Sequence, residues 1–171
     1  MTDMKLKASR ADKATFMAAY GHIYEHSPWV AEGAWKNCDH SDLDTLEELS
    51  AAMAKVVDAA DEAAKMKLIC AHPDLAGKAA LRDELTAESR SEQAGAGLDQ
   101  CSADELDEFN QLNSAYKVKF GFPFIIAVKG LDRYDILAAF RSRLNHDRAQ
   151  EFDTALDQIH KIARLRLADL T

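Results

Sequence analysis

Apolar residues recur three and four positions apart over most of this chain, the period of a helix rather than of a strand. From Ala11 to His26 the stripe is Phe16, Ala19, Tyr20 and Ile23, with Ser9 placed to cap the first turn. The stretch SPWVAEGAW, 27–35, breaks the period and reads as a loop or short turn carrying both tryptophans. Ser41 then opens a helix with Leu43, Leu46, Leu49, Met53, Val56 and Val57 on one side. DAADEAAKMKLICA either continues it or forms a second helix after a bend. Asp61 near its start and Lys65 and Lys67 toward its end suit the helix dipole. KAALRDELTAESRSEQAGAG is polar and weakly periodic. Ser102 and Glu105 form a capping box, from which Leu106, Phe109, Leu112 and Tyr116 run helically up to Gly121. LDRYDILAAFRSRL and DRAQEFDTALDQIHKIARLRLADL predict two further helices. FPFIIAV is the exception: a continuous apolar run with β-branched residues and an internal proline predicts extended chain. The strand signal is too thin for a sheet, so residues 1–171 read as one all-α, single-domain helical bundle with an extended apolar segment, Phe122–Val128.

Composition narrows the class of partner. The chain is 47% hydrophobic and 29% charged, with a net charge of -8 when histidine is neutral. That excess of acid argues against nucleic acid or an anionic membrane surface as the main partner, while leaving room for a locally basic pocket. Three cysteines, Cys38, Cys70 and Cys101, form no CxxC pair, which fits a reducing compartment. Met1 leads into TDMKLKASRADK without an apolar leader core, and no apolar run reaches membrane-spanning length. The expectation is a cytoplasmic protein.

Several constellations could carry chemistry. His22, Glu25 and His26 have HxxEH spacing, which on a helix could hold a metal; the alternative is the polar side of an amphipathic helix, with His26 complementing its C-terminal dipole. Cys38 and His40 sit in a polar loop without a partner pair. Cys70 next to His72 reads as a buried, inert thiol at a helix end. His72 directly precedes Pro73, which pushes it out of the helical region and frees the imidazole at a helix break. Ser89, Glu92 and Gln93 are spaced to share one helix face, although Ser89 and Glu92 equally match a capping box. The glycines of AGAGLD read as the turn that ends that helix. The Phe120–Gly130 segment must satisfy backbone groups without helical partners, by water, by side chains or by a bound oxyanion. Arg164 and Arg166 point about 200° apart around the last helix, so they cannot share a face. Each either snorkels, the default beside the core-like Ile162 and Leu165, or turns inward to bind an anion.

Taken in order, YGHIYEHSPWVAEGAW, AHPDLAGK, SRSEQAGAGLD, FNQLNSAYKVKFGFPFIIAVKG and IHKIARLRLADL closely resemble the OHCU decarboxylase family, over nearly the whole chain. OHCU is 2-oxo-4-hydroxy-4-carboxy-5-ureidoimidazoline. The resemblance implies an all-helical homodimer without metal or organic cofactor, taking OHCU to (S)-allantoin as the last step of urate breakdown. It places the catalytic histidine on His72, the catalytic glutamate on Glu92 and the family arginine on Arg166. Substrate contacts fall on Pro73, Ser89, Gln93 and the backbone of Phe124, Ile125, Ile126, Ala127 and Val128. The extended segment would then lie near the active site, and HIYEH would fall outside the catalytic set.

That chemistry suits these residue types. Loss of CO2 leaves an electron pair that the adjacent C=N of the ring can accept, so the ring is its own electron sink. The protein must hold the anion, move protons and select one face. A histidine titrating near neutrality suits proton transfer, and a carboxylate within reach orients it. Arg166 and backbone amides of 125–127 would hold charged or carbonyl oxygens, with Ser89 and Gln93 fixing the ring or ureido amides. A non-catalytic helical interaction module and a zinc hydrolase built on His22 and His26 are the competing classes.

Overall fold

The computed structural model describes residues 1–77 and 84–171; Lys78 of the AHPDLAGK block and the start of the polar stretch after it lie outside the described residues. Among the described residues the fold is all-α, and an isolated antiparallel bridge between Asp3 and Thr45 takes the place of any sheet. The chain divides into two compact units, Met1–Ala71 with Ile159–Thr171, and His72–Gln158.

The first unit holds α1 (Lys13–Tyr20), α2 (Trp29–Asn37), α3 (Leu46–Asp58) and α4 (Glu62–Cys70), plus the C-terminal part of the last helix. Its boundaries correct several expectations. Asp12, not Ser9, caps α1 by accepting the Thr15 N–H at 2.8 Å, because the Ser9 hydroxyl is taken by Asp44 at 2.5 Å. The helix stops at Tyr20 rather than His26, and the chain passes through positive φ (47°) at His26. SPWVAEGAW is largely helical: α2 begins at Trp29 behind Pro28, whose fixed φ suits a helix start. A Cβ on Gly33 of α2 would stand 2.7 Å from Val56 of α3, so these helices approach at a distance only glycine allows. Thr45, not Ser41, caps α3, and Leu43 ends a short 3-10 turn instead. Asp61 caps α4 as a separate helix. Phe16, Val30, Leu49, Met53, Val57 and Ile69 are fully buried in the core of this unit.

The second unit holds α5 (Ala87–Gly95), α6 (Ala103–Phe120), α7 (Arg133–Arg143) and residues 148–158 of α8 (Arg148–Ala168). The expected capping box at Ser102 and Glu105 is present, and Gly121 closes α6 in the left-handed region (φ 81°). Beyond it the apolar segment runs without helix or ladder to Val128, as its β-branched residues and Pro123 imply. Phe124 stacks on Phe140 with centroids 3.9 Å apart, and both rings meet Tyr116 edge-on. Each such buried ring contributes roughly 1.5–3 kcal/mol over leaving it in water.

Candidate active site

The helix break at His72 is built as the sequence implies. Ala71 closes α4 by donating to the Lys67 carbonyl, and His72 leaves the helix before Pro73, buried to 9% exposure. Ala76 sits at φ +50°, a conformation that costs a non-glycine residue on the order of 1–3 kcal/mol unless its surroundings impose it. Its surroundings do so here. The Ala76 N–H donates to Gln93 Oε1 (3.1 Å), and Gln93 Nε2 donates to the Asp74 carbonyl (3.2 Å). Asn113 Nδ2 donates to the Leu75 carbonyl (3.0 Å), and Lys117 pairs with Asp74. At Gly77 a Cβ would lie 2.6 Å from the Asp74 Cβ, so the turn closes only with glycine. The loop bearing His72 and Pro73 is therefore tied to α5 and α6 by three of their side chains, Gln93, Asn113 and Lys117.

Helix α5 resolves the ambiguity at Ser89. Thr86 is the cap, accepting the Ser89 N–H at 3.2 Å, so Ser89 lies one turn inside the helix. Ser89, Glu92 and Gln93 then share a face, with Ser89 and Gln93 buried and Glu92 half-buried. The expected turn follows, with Gly97 at φ 77°. Gln93 commits one lone pair of its oxygen and one N–H to the His72 loop, which leaves its second N–H and one lone pair for a ligand. Gln93 also borders a cavity of about 510 Å³ whose other walls include Ala76, Leu85, Leu98 and Leu106. Arg90 and Asp99 also line it, whereas His72, Ser89 and Glu92 are not among its described walls.

Within the extended segment Phe124, Ile125, Ala127 and Val128 are buried and Ile126 is half-buried. The Ile125 carbonyl accepts from Arg143 Nη1 at 2.6 Å, and the Ala127 N–H donates to Gln158 Oε1 at 2.9 Å. Side chains thus answer part of the backbone question that the sequence left open. Arg143 is itself anchored: its Nε donates to Glu151 at 2.8 Å, and its guanidinium lies 4.3 Å from the Phe124 ring centre. Glu151 is fully buried and also accepts from the Tyr116 hydroxyl (2.5 Å) and meets His146 Nδ1 (3.0 Å). Burial and the Glu151 carboxylate push the Tyr116 phenol well above its ordinary pKa, so it stays a donor.

Arg166 belongs to the first unit and is turned inward. It is 7% exposed, and its Nη1 donates to the Ile23 carbonyl (3.1 Å) and pairs with Glu25 (2.9 Å). Arg164 is exposed and reaches Ser50 and Glu47. The snorkelling default therefore holds for Arg164 and fails for Arg166, because the buried stripe of α8 here is Ile159, Ala163 and Leu167 rather than the half-buried Ile162 and Leu165. In the same unit Tyr24, His160 and Asp58 form a chain of contacts at 2.9 and 3.2 Å.

The HxxEH reading loses its premise, since 22–26 are not helical: His22 and His26 are exposed, and Glu25 is buried against Arg166. The His40 ring stacks on Trp35 at 3.6 Å. Cys70 is exposed rather than buried, being the residue after the buried Leu68 and Ile69, rotated about 100° onto the outer side of α4. Sequence reasoning named Glu25 only within HxxEH and did not single out Asn113, Arg143 or Gln158. Asn113 carried a signal, a polar residue four after Phe109 and three before Tyr116 on a buried stripe. The others became visible only through their partners.

These features define an all-α protein with a buried histidine at a helix break. A family model described as OHCU decarboxylase matches residues 9–168. A relative from Halalkalicoccus jeotgali, named 2-oxo-4-hydroxy-4-carboxy-5-ureidoimidazoline decarboxylase, is 44% identical over 163 residues, covering 95% of this chain and 89% of its own. A solved structure described as (S)-allantoin synthase aligns with a TM-score of 0.75 at 36% identity, covering 95% of this chain and 52% of that one. Another, described as OHCU decarboxylase in the presence of (S)-allantoin, aligns at 0.69 and 25% identity, covering 86% and 94%. The chain belongs to the OHCU decarboxylase family.

Proposed function

We propose that this protein decarboxylates OHCU to (S)-allantoin, the last step of urate degradation to allantoin. The family match over 160 residues and the names of the relatives support the activity. The observation that carries it to particular residues is the buried His72, on a strained loop that Gln93 ties to the helix of Ser89 and Glu92.

In the reaction the bond from the hydroxyl-bearing carbon to the carboxylate breaks. Its electron pair forms a double bond to the neighbouring ring carbon, and the C=N pair moves to nitrogen, which takes a proton. The resulting enol then loses its O–H proton to become the carbonyl, and the ureido-bearing carbon takes a proton on one face. The ring accepts the electrons, so the scheme calls for no cofactor. His72 is the main acid/base, and Glu92 is its partner or a second proton-transfer group. Arg166 holds a charged oxygen of the substrate. Pro73 forms wall, Ser89 and Gln93 contact ring or ureido amides, and Phe124–Val128 supplies backbone groups. The family match spans both compact units, which supports treating the chain as one functional domain. The resemblance supports a homodimer. The free thiols Cys38, Cys70 and Cys101 support a cytoplasmic setting. Among the described residues no helix is long and apolar enough to cross a membrane.

The test follows allantoin by circular dichroism, with OHCU made in place by urate oxidase and hydroxyisourate hydrolase. The wild type should speed (S)-allantoin over the spontaneous racemic route. His72→Asn should keep its helical spectrum and lose on the order of 10²–10⁴ in rate. No acceleration by wild type would leave a non-catalytic helical module, and near-wild-type turnover by His72→Asn would remove His72 from its role.

A further inference from the structure

Two side chains outside the proposed substrate set decide which way the peptides of the extended segment face. The peptide bonds are trans, so the carbonyl and N–H of one unit point in opposite directions. The Ile125 carbonyl points at Arg143; the Ile126 N–H, on the same peptide, therefore points away from Arg143. The Ala127 N–H points at Gln158; the Ile126 carbonyl, on the same peptide, therefore points away from Gln158. Neither Ile126 group makes a hydrogen bond within the described residues, and Ile126 is half-buried between buried neighbours. In extended backbone the N–H and C=O of one residue lie on the same side. Together they offer a donor beside an acceptor, the complement of the N–H and C=O edge of a cyclic urea or ureide.

We propose that Arg143 and Gln158 are positioning residues for the reaction, clamping one side of the segment so that the Ile126 N–H and carbonyl face a ureide edge of the substrate. The inference rests on the proposed activity. Both clamps are well anchored. Arg143 is held by Glu151 and by the Phe124 ring, and Gln158 lies seven residues after Glu151, on the same face of α8. With this geometry the Ala127 N–H serves the scaffold, and recognition passes to the residue before it.

The experiment measures kcat and KM for in-place OHCU with Gln158→Met, Gln158→Glu and Arg143→Lys. Gln158→Met removes the acceptor for the Ala127 N–H at a half-buried position and should raise KM about ten-fold, one hydrogen bond's worth, with kcat changed less. Gln158→Glu keeps an acceptor oxygen and should return KM to near the wild-type value. Arg143→Lys keeps the charge but loses the fork that joins Glu151 to the Ile125 carbonyl, and should raise KM in the same direction. Wild-type KM in Gln158→Met, or equal damage from Met and Glu at 158, overturns the proposal. If Gln158→Met fails to fold, an Arg143→Lys variant with native circular dichroism and wild-type KM overturns it instead. A wild type that does not accelerate (S)-allantoin overturns the activity itself, a different result from accelerated turnover indifferent to residue 158.

Discussion

Among the described residues each compact unit buries one arginine against one glutamate, and the two pairs hold different things. In the first unit Arg166 Nη1 meets both Glu25 and the Ile23 carbonyl. In the second, Arg143 spreads over Glu151, the Ile125 carbonyl and the Phe124 ring, and Glu151 collects Tyr116 and His146 as well. A buried pair recovers its desolvation cost only when its remaining groups are bonded too. The Arg143–Glu151 pair fastens a backbone segment through the Ile125 carbonyl, and leaves Arg143 Nη2 buried without a hydrogen bond. The Arg166–Glu25 pair orients one cation. The difference is between a pair that holds an extended segment and a pair that holds the carbonyl of Ile23.

The largest expected effect tests that contrast directly. Glu151→Ala leaves a buried guanidinium, a phenol and an imidazole without their common acceptor, and should cost on the order of 3–5 kcal/mol, read as a lower urea midpoint. Replacing the pair together, Arg143→Met with Glu151→Leu, should return much of that stability while turnover stays low. If Glu25→Ala costs as much stability as Glu151→Ala and no more activity, the two pairs are equivalent scaffolds and the contrast fails.

A smaller effect concerns the first unit at high pH. Burial, with the Asp44 carboxylate nearby, pushes the Tyr20 phenol up to about 12, and its hydroxyl donates to the Leu6 carbonyl at 2.6 Å. The folded state therefore holds this proton more tightly than the unfolded chain, whose tyrosine titrates near 10. The contribution is complete below pH 10 and is lost as pH rises toward 12. The urea midpoint should fall across that window, and Tyr20→Phe should flatten part of the fall; an unchanged slope would show that Tyr20 does not contribute.

The smallest effect separates stability from function. Asp12→Ala and Thr86→Ala each remove a helix cap and should each cost about 1 kcal/mol. Thr86 caps the helix carrying Ser89, Glu92 and Gln93, so only its loss should also lower turnover. Equal turnover losses would mean that the caps act only through global stability.

Local chemistry made much of this protein legible in advance. The Ser102–Glu105 cap, the stop at Gly121, the unwinding before Pro73 and the non-helical FPFIIAV each depend on a few neighbouring residues, and each stands in the structure. Errors arose where two residues could do the same local job. Ser9 and Asp12 compete to cap α1, Ser41 and Thr45 to cap α3, and Ser89 and Thr86 to cap α5. A distant partner such as Asp44, which holds Ser9, settles the first case. The run through His26 looked helical because its stripe continues past the point where the helix ends.

The sequence by itself determined the all-α class, the break that frees His72 and, through the order of its blocks, the family. Only the tertiary structure decided that Arg166 turns inward while Arg164 stays exposed, that Ser89 lies inside a helix rather than at its cap, and that Arg143 and Gln158 orient the peptides around Ile126. The physical reason is separation along the chain. Periodicity and capping act over three or four residues, whereas Arg166 meets Ile23 across 143 positions and Ala127 meets Gln158 across 31. No local pattern encodes such pairs; they exist only once the backbone has folded and a buried charge or amide must find its partner.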